Sequence, residues 1–255
     1  MGIAAYSITQ SGLYEPFDLQ VARNQILGHE SLKFFGYSTA LGSTAYGPLW
    51  EGLTGSGGSY VYPASAVVMT LTSSSASDTA VSILVDGCGA GFVRQTEIVA
   101  LNGTANVNTT KSFLRINRLS TVVGNAVGNV TAINGGTTYA KILAGNGDTQ
   151  MSIYTVPAGY TFYQTNFTAG SNTSVTSGAY VRRRTLIVDN GLGGVITAQA
   201  QAVFVQSFAL PITFPIEFPE KHDIQWQFLG AGGAGAVANS YASGVLVSND
   251  VSAQF

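Results

Sequence analysis

Few side chains in this sequence could perform acid–base, nucleophilic or metal chemistry. The chain holds two histidines, His29 and His222, and one cysteine, Cys88, among 255 residues. A zinc site needs three or four His, Cys or carboxylate ligands, and no spacing in the sequence supplies them. A Ser–His–Asp triad would have to use one of the two histidines, and neither lies near a sequence typical of a nucleophile turn. We therefore expect no enzymatic activity, no metal and no cofactor.

The densest charge cluster is Glu220-Lys221-His222-Asp223. It has two interpretations, a metal or acid–base site and a solvated turn that leads into the strand containing Trp226. The second is favoured, because no further ligand lies nearby in the sequence. Two distant carboxylates would suffice for glycoside cleavage. With thirteen acidic residues some pair is inevitable, so the sequence gives no signal for that activity.

A glycine-rich run at residues 230–235 formally fits the pattern G-x-G-x-x-G. A dinucleotide site needs this pattern between a strand and a helix in a βαβ unit. The residues that follow alternate like another strand, so we interpret the run as a turn between two strands.

The only basic run is Arg182-Arg183-Arg184. On a strand, Arg182 and Arg184 share one face while Arg183 points to the other, so the three do not form one patch. The net charge of −2 also argues against a nucleic-acid groove. We expect these arginines to pair with carboxylates such as Glu217 and Glu220, on the same or a neighbouring subunit. All five residues are candidate subunit contacts.

Alternation of apolar and polar residues dominates the chain, and no long helical stripe with caps interrupts it. Residues 66–72 and 80–85 alternate with a period of two, and Leu114, Ile116 and Leu119 are interleaved with Arg115, Asn117 and Arg118. Asn102-Gly103 and Asn134-Gly135 are typical of β-hairpin turns. Strands that recur every 8–12 residues indicate a sandwich or barrel, so the predicted fold class is all-β.

A break at residues 144–148, where glycines interrupt the alternation, predicts a domain boundary. We expect an N-terminal arm over residues 1–13, a first antiparallel β-sandwich over 14–146, and a second, jelly-roll-like sandwich over 147–255. The two tandem units would be of the jelly-roll or immunoglobulin-like type. Three prolines, Pro211, Pro215 and Pro219, predict an edge strand or an extended crossover, because proline cannot donate to a β-ladder.

Charged residues make up only 9% of the chain, against about 25% in an average soluble protein. A monomer of this mass exposes roughly 11,000 Å². Eleven basic and thirteen acidic side chains cover that surface thinly, which indicates a subunit of a larger assembly. The alternative is that Ser, Thr, Asn, Gln and Gly cover the surface unaided. We expect neither a membrane nor a nucleic acid as partner.

Five short phrases between residues 14 and 165 carry a resemblance: Phe17–Arg23, Leu101–Thr104, Phe113–Ile116, Val127–Val130 and Ile153–Gly159. Together they resemble structural proteins of tailed bacteriophages, especially marine and cyanobacterial ones. None of the phrases is catalytic. The resemblance implies a virion component on the particle surface, with copies of itself and other virion proteins as partners.

The leading expectation is a homotrimeric capsid decoration (cement) protein that stabilises the shell by binding the major capsid protein. A symmetric subunit buries neutral or apolar surface against its copies, which fits the low charge. The alternative is a tail, baseplate or fibre component that contacts the host surface, with or without carbohydrate binding. A third possibility is a carbohydrate-binding or hydrolytic module that uses exposed Tyr and Trp side chains.

Overall fold

A computed structural model of the chain describes residues 15–39, 41–42, 45–52, 60–172, 179–187, 195–230 and 236–250. These residues form a short helix, α1 (Phe17–Ala22), and seventeen strands. The strands are β1 (His29–Ser38), β2 (Gly47–Pro48), β3 (Val67–Ser73), β4 (Ser82–Cys88), β5 (Arg94–Ala100), β6 (Val107–Phe113), β7 (Arg115–Val123), β8 (Val130–Asn134), β9 (Thr137–Ile142), β10 (Ile153–Thr155), β11 (Tyr160–Ser171), β12 (Ala179–Ile187), β13 (Val195–Phe204), β14 (Ser207–Leu210), β15 (Ile216–Phe218), β16 (His222–Gly230) and β17 (Ala238–Ser248).

The strands build four sheets, and every pairing between them is antiparallel. The all-β prediction is therefore confirmed. The four sheets form a propeller-like arrangement. Their buried side chains divide into two clusters, of which the first lies mainly between two sheets, with Ile153 of β10 added, and the second between the other two. No helix among the described residues is long and apolar enough to cross a membrane.

The first core lies between a four-stranded sheet of order β6-β3-β8-β9 and a three-stranded sheet of order β5-β4-β7. Met69 and Leu71 of β3 are buried in it together with Ile83 and Val85 of β4. Each pair is separated by one residue, because alternate side chains of a strand point to the same face. The sequence alternation in these segments therefore reports the inward faces correctly.

The second core lies between two five-stranded sheets. One has the order β1-β17-β11-β14, with β15 also paired to β11. The other has the order β10-β16-β12-β13, with β2 also paired to β16. Its centre is aromatic, and the rings of Phe167 and Trp226 stack with their centroids 3.5 Å apart. Large rings bury much apolar area per residue, and aliphatic side chains such as Leu49, Ile224 and Leu246 fill the space around them.

Strand β1 lies in the second core's sheets, where it pairs with β17 along its whole length. This arrangement differs from the expectation that residues 14–146 form the first unit alone. The division at residue 146 stays a prediction. The predicted arm over residues 1–13 lies outside the described residues.

The two Asn-Gly sequences have different outcomes. Asn134-Gly135 forms the predicted hairpin, in which β8 pairs with β9 and Asn134 lies opposite Thr137. The hairpin predicted at Asn102-Gly103 is wrong, because β5 pairs with β4 whereas β6 pairs with β3. Gly103 still has a positive φ of 59° and turns the chain, but the turn connects two different sheets.

The proline-rich stretch contributes the short strand β15, and β14 ends just before Pro211; both pair only with β11 among the described strands. This edge position confirms the prediction made from the prolines. The glycine-rich run begins at Gly230, the last residue of β16, and residues 231–235 lie outside the described residues. The strands on either side of it, β16 and β17, belong to different sheets.

Candidate binding site at the junction of the two cores

A buried ion pair joins the two cores. Arg115, at the start of β7, donates from Nε to Oδ1 of Asp223 and from Nη2 to Oδ2, both at 2.9 Å. Asp223 in β16 has no exposed surface, and Arg115 is 5% exposed. The Thr155 hydroxyl donates a further hydrogen bond of 2.6 Å to Asp223. Three donors thus satisfy a carboxylate that would be costly to bury alone.

Arg115 is held by contacts on its other sides as well. Nη1 donates to the carbonyls of Leu114 and Pro63. The guanidinium lies over the Tyr62 ring, 4.3 Å from its centroid, and 5.2 Å from the centroid of Phe92. These aromatic faces attract the cation while excluding water.

The alternation expected in β7 fails at its first three residues, since Arg115, Ile116 and Asn117 are all buried. The register between β4 and β7 shifts between Asp86 and Gly87, so the strand is irregular there. A Cβ at Gly87 would lie 2.0 Å from the Arg115 carbonyl oxygen, so only glycine allows this approach. Sequence periodicity gives no signal for such a shift.

The interpretation of residues 220–223 as a solvated turn is wrong for Asp223, which is the buried partner of Arg115. It describes Glu220 correctly, because that side chain is exposed. The His222 ring is half-buried at the start of β16, with Nδ1 2.9 Å from the Glu220 carbonyl oxygen. No group of three or more His, Cys, Asp or Glu side chains among the described residues could hold a metal ion.

A second set of charged groups lies where β1 meets the outer face of the sheet β5-β4-β7. Arg94 of β5 donates from Nη1 to both carboxylate oxygens of Glu30 in β1, at 2.8 Å each. Arg118 of β7 binds Asp148 through Nε, at 2.7 Å from Oδ1, and through Nη2. The Arg94 side chain is 33% exposed and the Arg118 side chain 53%, so the two pairs border the solvent.

Asp86 of β4 lies between these two pairs, opposite Arg118 in the strand register. Burial raises the pKa of its carboxyl, and the charge of Glu30 adds to the shift, while Arg94 and Arg118 oppose it. Burial acts to lower the pKa of Arg94, but the hydrogen bonds and the charge of Glu30 raise it by more. The net pKa of Arg94 therefore lies above its usual value. The hydrogen bonds from Arg118 to Asp148 raise the pKa of Arg118.

These groups line a cavity of about 190 Å³ between β1 and the three-stranded sheet. Ser31, Lys33, Asn117 and Tyr154 complete its polar walls. A second, more open groove of about 410 Å³ continues from it. The two share Phe35, Asp148 and Thr149, and the second adds Tyr37, Tyr241, Asn239 and Ser240. We call the cavity and its continuation the junction groove.

The other half of the same sheet face is apolar. Ile98 lies opposite Leu84, and Val123 lies opposite Ser82, in neighbouring positions across the sheet. Ile98 is 63% exposed and Val123 is 57% exposed. We call Leu84, Ile98, Val122 and Val123 the apolar patch. Exposed apolar side chains that lie side by side on a sheet mark an interaction surface more often than isolated ones do.

The arginine run lies on β12 as predicted, with Arg182 and Arg184 on the outer face and Arg183 on the inner one. Arg183 is 6% exposed and its guanidinium lies 5.0 Å from the centroid of the Phe218 ring. Burial lowers its pKa. Arg183 therefore packs into the second core, and its role as a subunit contact stays a prediction.

The remaining predicted contacts lie apart from the junction groove. Arg182 donates to Gln227 at 2.8 Å and lies over the Tyr46 ring. Arg184 lines a small cavity with Tyr62 and Asp223. Glu217 is exposed on β15, and the exposed Glu220 accepts a hydrogen bond from the Gly159 amide. Their role as subunit contacts stays a prediction.

Comparisons with known proteins place the chain in no family. No protein family matches its sequence, and no curated protein does. Among solved structures, the VP2 subviral particle of infectious bursal disease virus aligns with a TM-score of 0.22 and 10% identity, over 92% of this chain and 78% of that one. The structure of the Gx strain of the same virus aligns with a TM-score of 0.19 and 14% identity, over 93% of this chain and 78% of that one. The T=1 particles derived from that virus align with a TM-score of 0.20 and 11% identity, over 88% of this chain and 70% of that one. TM-scores this low support no argument about fold or function.

Proposed function

We propose that this chain is a structural subunit of a virus particle that assembles with copies of itself. The observation that carries the proposal is the apolar patch, which places Ile98 and Val123 in solvent on the outer face of the three-stranded sheet. The composition supports it, because 9% charged residues cover little of the surface. A subunit that associates through such a patch removes apolar area from water, at roughly 25 cal/mol per Å².

The finer proposal is a homotrimeric capsid decoration protein built from two β-sandwiches. Two facts support the sandwiches, since each buried cluster lies mainly between two sheets and their strands are antiparallel. The phage-like phrases in the first 165 residues support the virion location. The major capsid protein would then be the second partner.

The oligomeric state of the purified chain, measured by analytical ultracentrifugation, tests this proposal. We expect a trimer for the natural sequence and a monomer for Ile98→Asp, because a carboxylate in the patch would be buried without a partner. Val203→Asp is the matched control, since Val203 is 62% exposed on β13, in another sheet. A natural chain that sediments as a monomer would contradict the proposal, and so would an Ile98→Asp variant that remains trimeric.

The second candidate is a tail, baseplate or fibre component that contacts the host surface. The junction groove favours it, because a cavity with convergent polar groups is typical of ligand recognition. Immunogold labelling of particles distinguishes the two. Label over the head supports the decoration protein, whereas label confined to the tail supports the second candidate.

A further inference from the structure

We propose that the junction groove binds a neutral saccharide. This inference does not depend on assembly or on a virion location. It uses the polar walls of the cavity, the aromatic wall of its continuation, and the balance of charge between them.

The charges of the cavity select against ions of either sign. Three carboxylates, from Glu30, Asp86 and Asp148, line the cavity with the guanidinium groups of Arg94 and Arg118, and the exposed Lys33 borders it. A cation near Asp86 would also lie near Arg94 and Arg118, whose charges act on that carboxyl. An anion near the arginines would meet the three carboxylates. A neutral ligand avoids both repulsions and can still use every donor and acceptor.

The hydrogen-bonding groups are already oriented. Arg94 and Arg118 are fixed by two hydrogen bonds each to Glu30 and Asp148. Such pairing leaves further lone pairs on the carboxylates and further N–H groups on the guanidinium. In the part of the chain that the structure describes, the Asp86 carboxyl has a hydrogen bond from the Gly87 backbone and none from a side chain, so it has acceptor capacity left. It is an acceptor that faces the cavity, and the adjacent hydroxyls of a sugar ring supply the donors it needs.

The continuation of the groove offers an aromatic surface. The rings of Phe35 and Tyr241 lie with their centroids 5.2 Å apart, and Phe35 is 45% exposed. Tyr37 follows two residues after Phe35, so both side chains lie on the same face of β1. A pyranose ring has an apolar C–H face and a rim of hydroxyls. It can therefore cover the aromatic rings while its hydroxyls reach the polar cavity.

The dimensions limit the size of the ligand. Pockets for drug-sized molecules are usually about 300–1,000 Å³. The narrower part of the junction groove, at about 190 Å³, is smaller, and it fits one sugar ring. The open part, at about 410 Å³, allows the next units of an oligosaccharide to continue over Phe35 and Tyr241.

An array of neutral glucose-, galactose- and mannose-containing oligosaccharides, followed by titration calorimetry with the best of them, tests the proposal on the full chain. We expect binding that falls about tenfold or more in Phe35→Ala and in Asp86→Asn. The loss in Phe35→Ala comes from its exposed ring, so its unfolding midpoint should remain unchanged. Glu217→Gln is the matched control, an exposed acid outside the groove, and should bind as the natural chain does.

Three results would overturn the inference. They are no binding by the folded natural chain, binding that neither groove variant weakens, and binding of charged glycans alone that disappears at high salt. Sedimentation of the same samples keeps the two proposals separate. A trimer that binds no saccharide would refute this inference alone, and a monomer that binds one would refute the assembly alone.

Discussion

The ion pair between Arg115 and Asp223 allows a direct test of how burial determines the energy of a salt bridge. Replacing Asp223 by Asn keeps the shape of the side chain and removes its charge. Arg115 then remains almost fully buried without a counterion. Removing one partner of a buried pair costs about 3–5 kcal/mol, because the desolvated charge is left uncompensated.

The chain contains its own control. Arg118 lies three residues further along β7 and also binds an aspartate, Asp148, through Nε and Nη2. The chemistry is the same, but the side-chain exposures differ. They are 53% for Arg118 and 33% for Asp148, against 6% for the Arg115 side chain and 0% for that of Asp223. Solvent-exposed ion pairs contribute about 0–1 kcal/mol. We therefore expect Asp148→Asn to change the free energy of unfolding by no more than that.

Urea unfolding measures both changes, and the two tryptophans report on the two cores separately. Trp50 belongs to the first buried cluster and Trp226 to the second. Trp50→Phe leaves Trp226 as the reporter of the second core, and Trp226→Phe leaves Trp50 as the reporter of the first. Because the buried pair joins the cores, adding Asp223→Asn to each should make the two reporters unfold at different urea concentrations. Equal losses in Asp223→Asn and Asp148→Asn would refute the argument from burial. A further variant, Arg115→Met with Asp223→Leu, should recover most of the lost stability.

Three further predictions concern single residues. Burial raises the pKa of Glu51 to about 7, and Lys141 opposes the shift. The native state thus binds this proton more tightly than the unfolded chain, and stability falls as pH rises from about 4.5 to 7. Glu51→Gln should stabilise the protein by about 1–2 kcal/mol at pH 8 and by nothing at pH 4, which urea unfolding at both pH values checks. Gly87→Ala should cost about 1–3 kcal/mol by the same assay, whereas Gly147→Ala, whose Cβ meets nothing within 4 Å, should cost far less. Burial raises the pKa of the Cys88 thiol to about 12, so a thiol reagent should label it only at the rate of unfolding; labelling of the native state would contradict its burial.

The sequence predicts the fold class and the orientation of individual side chains better than it predicts the partners of strands. The faces of Arg182 and Arg183 follow from the period of two alone. The two Asn-Gly turns illustrate the limit, since both turn the chain but only Asn134-Gly135 joins paired strands. Turn chemistry is local, whereas the choice of sheet depends on which distant strand completes a buried face.

The candidate site was not predictable from the sequence for the same reason. Glu30 and Arg94 are 64 residues apart, and Arg115 and Asp223 are 108 apart. No short motif holds either pair. The burial of Arg115 further depends on the register shift at Gly87, where periodicity predicts an outward side chain. The one available signal was the charge of Asp223 next to the alternating Ile224, Trp226 and Phe228 of β16.

The pairing of β1 with β17 has a consequence for how the protein is made. The strands of the first core span residues 67–142 and find their partners nearby, so that core can close while the chain is still being synthesised. Phe34 of β1 pairs with Ala242, more than 200 residues later. At the usual speed of translation this interval lasts roughly 10–40 s. During that time the edge of β1 that pairs with β17 in the folded protein has no partner there. An unpaired edge is where strands of other chains can add, so synthesis leaves β1 open to such pairing until β17 is made.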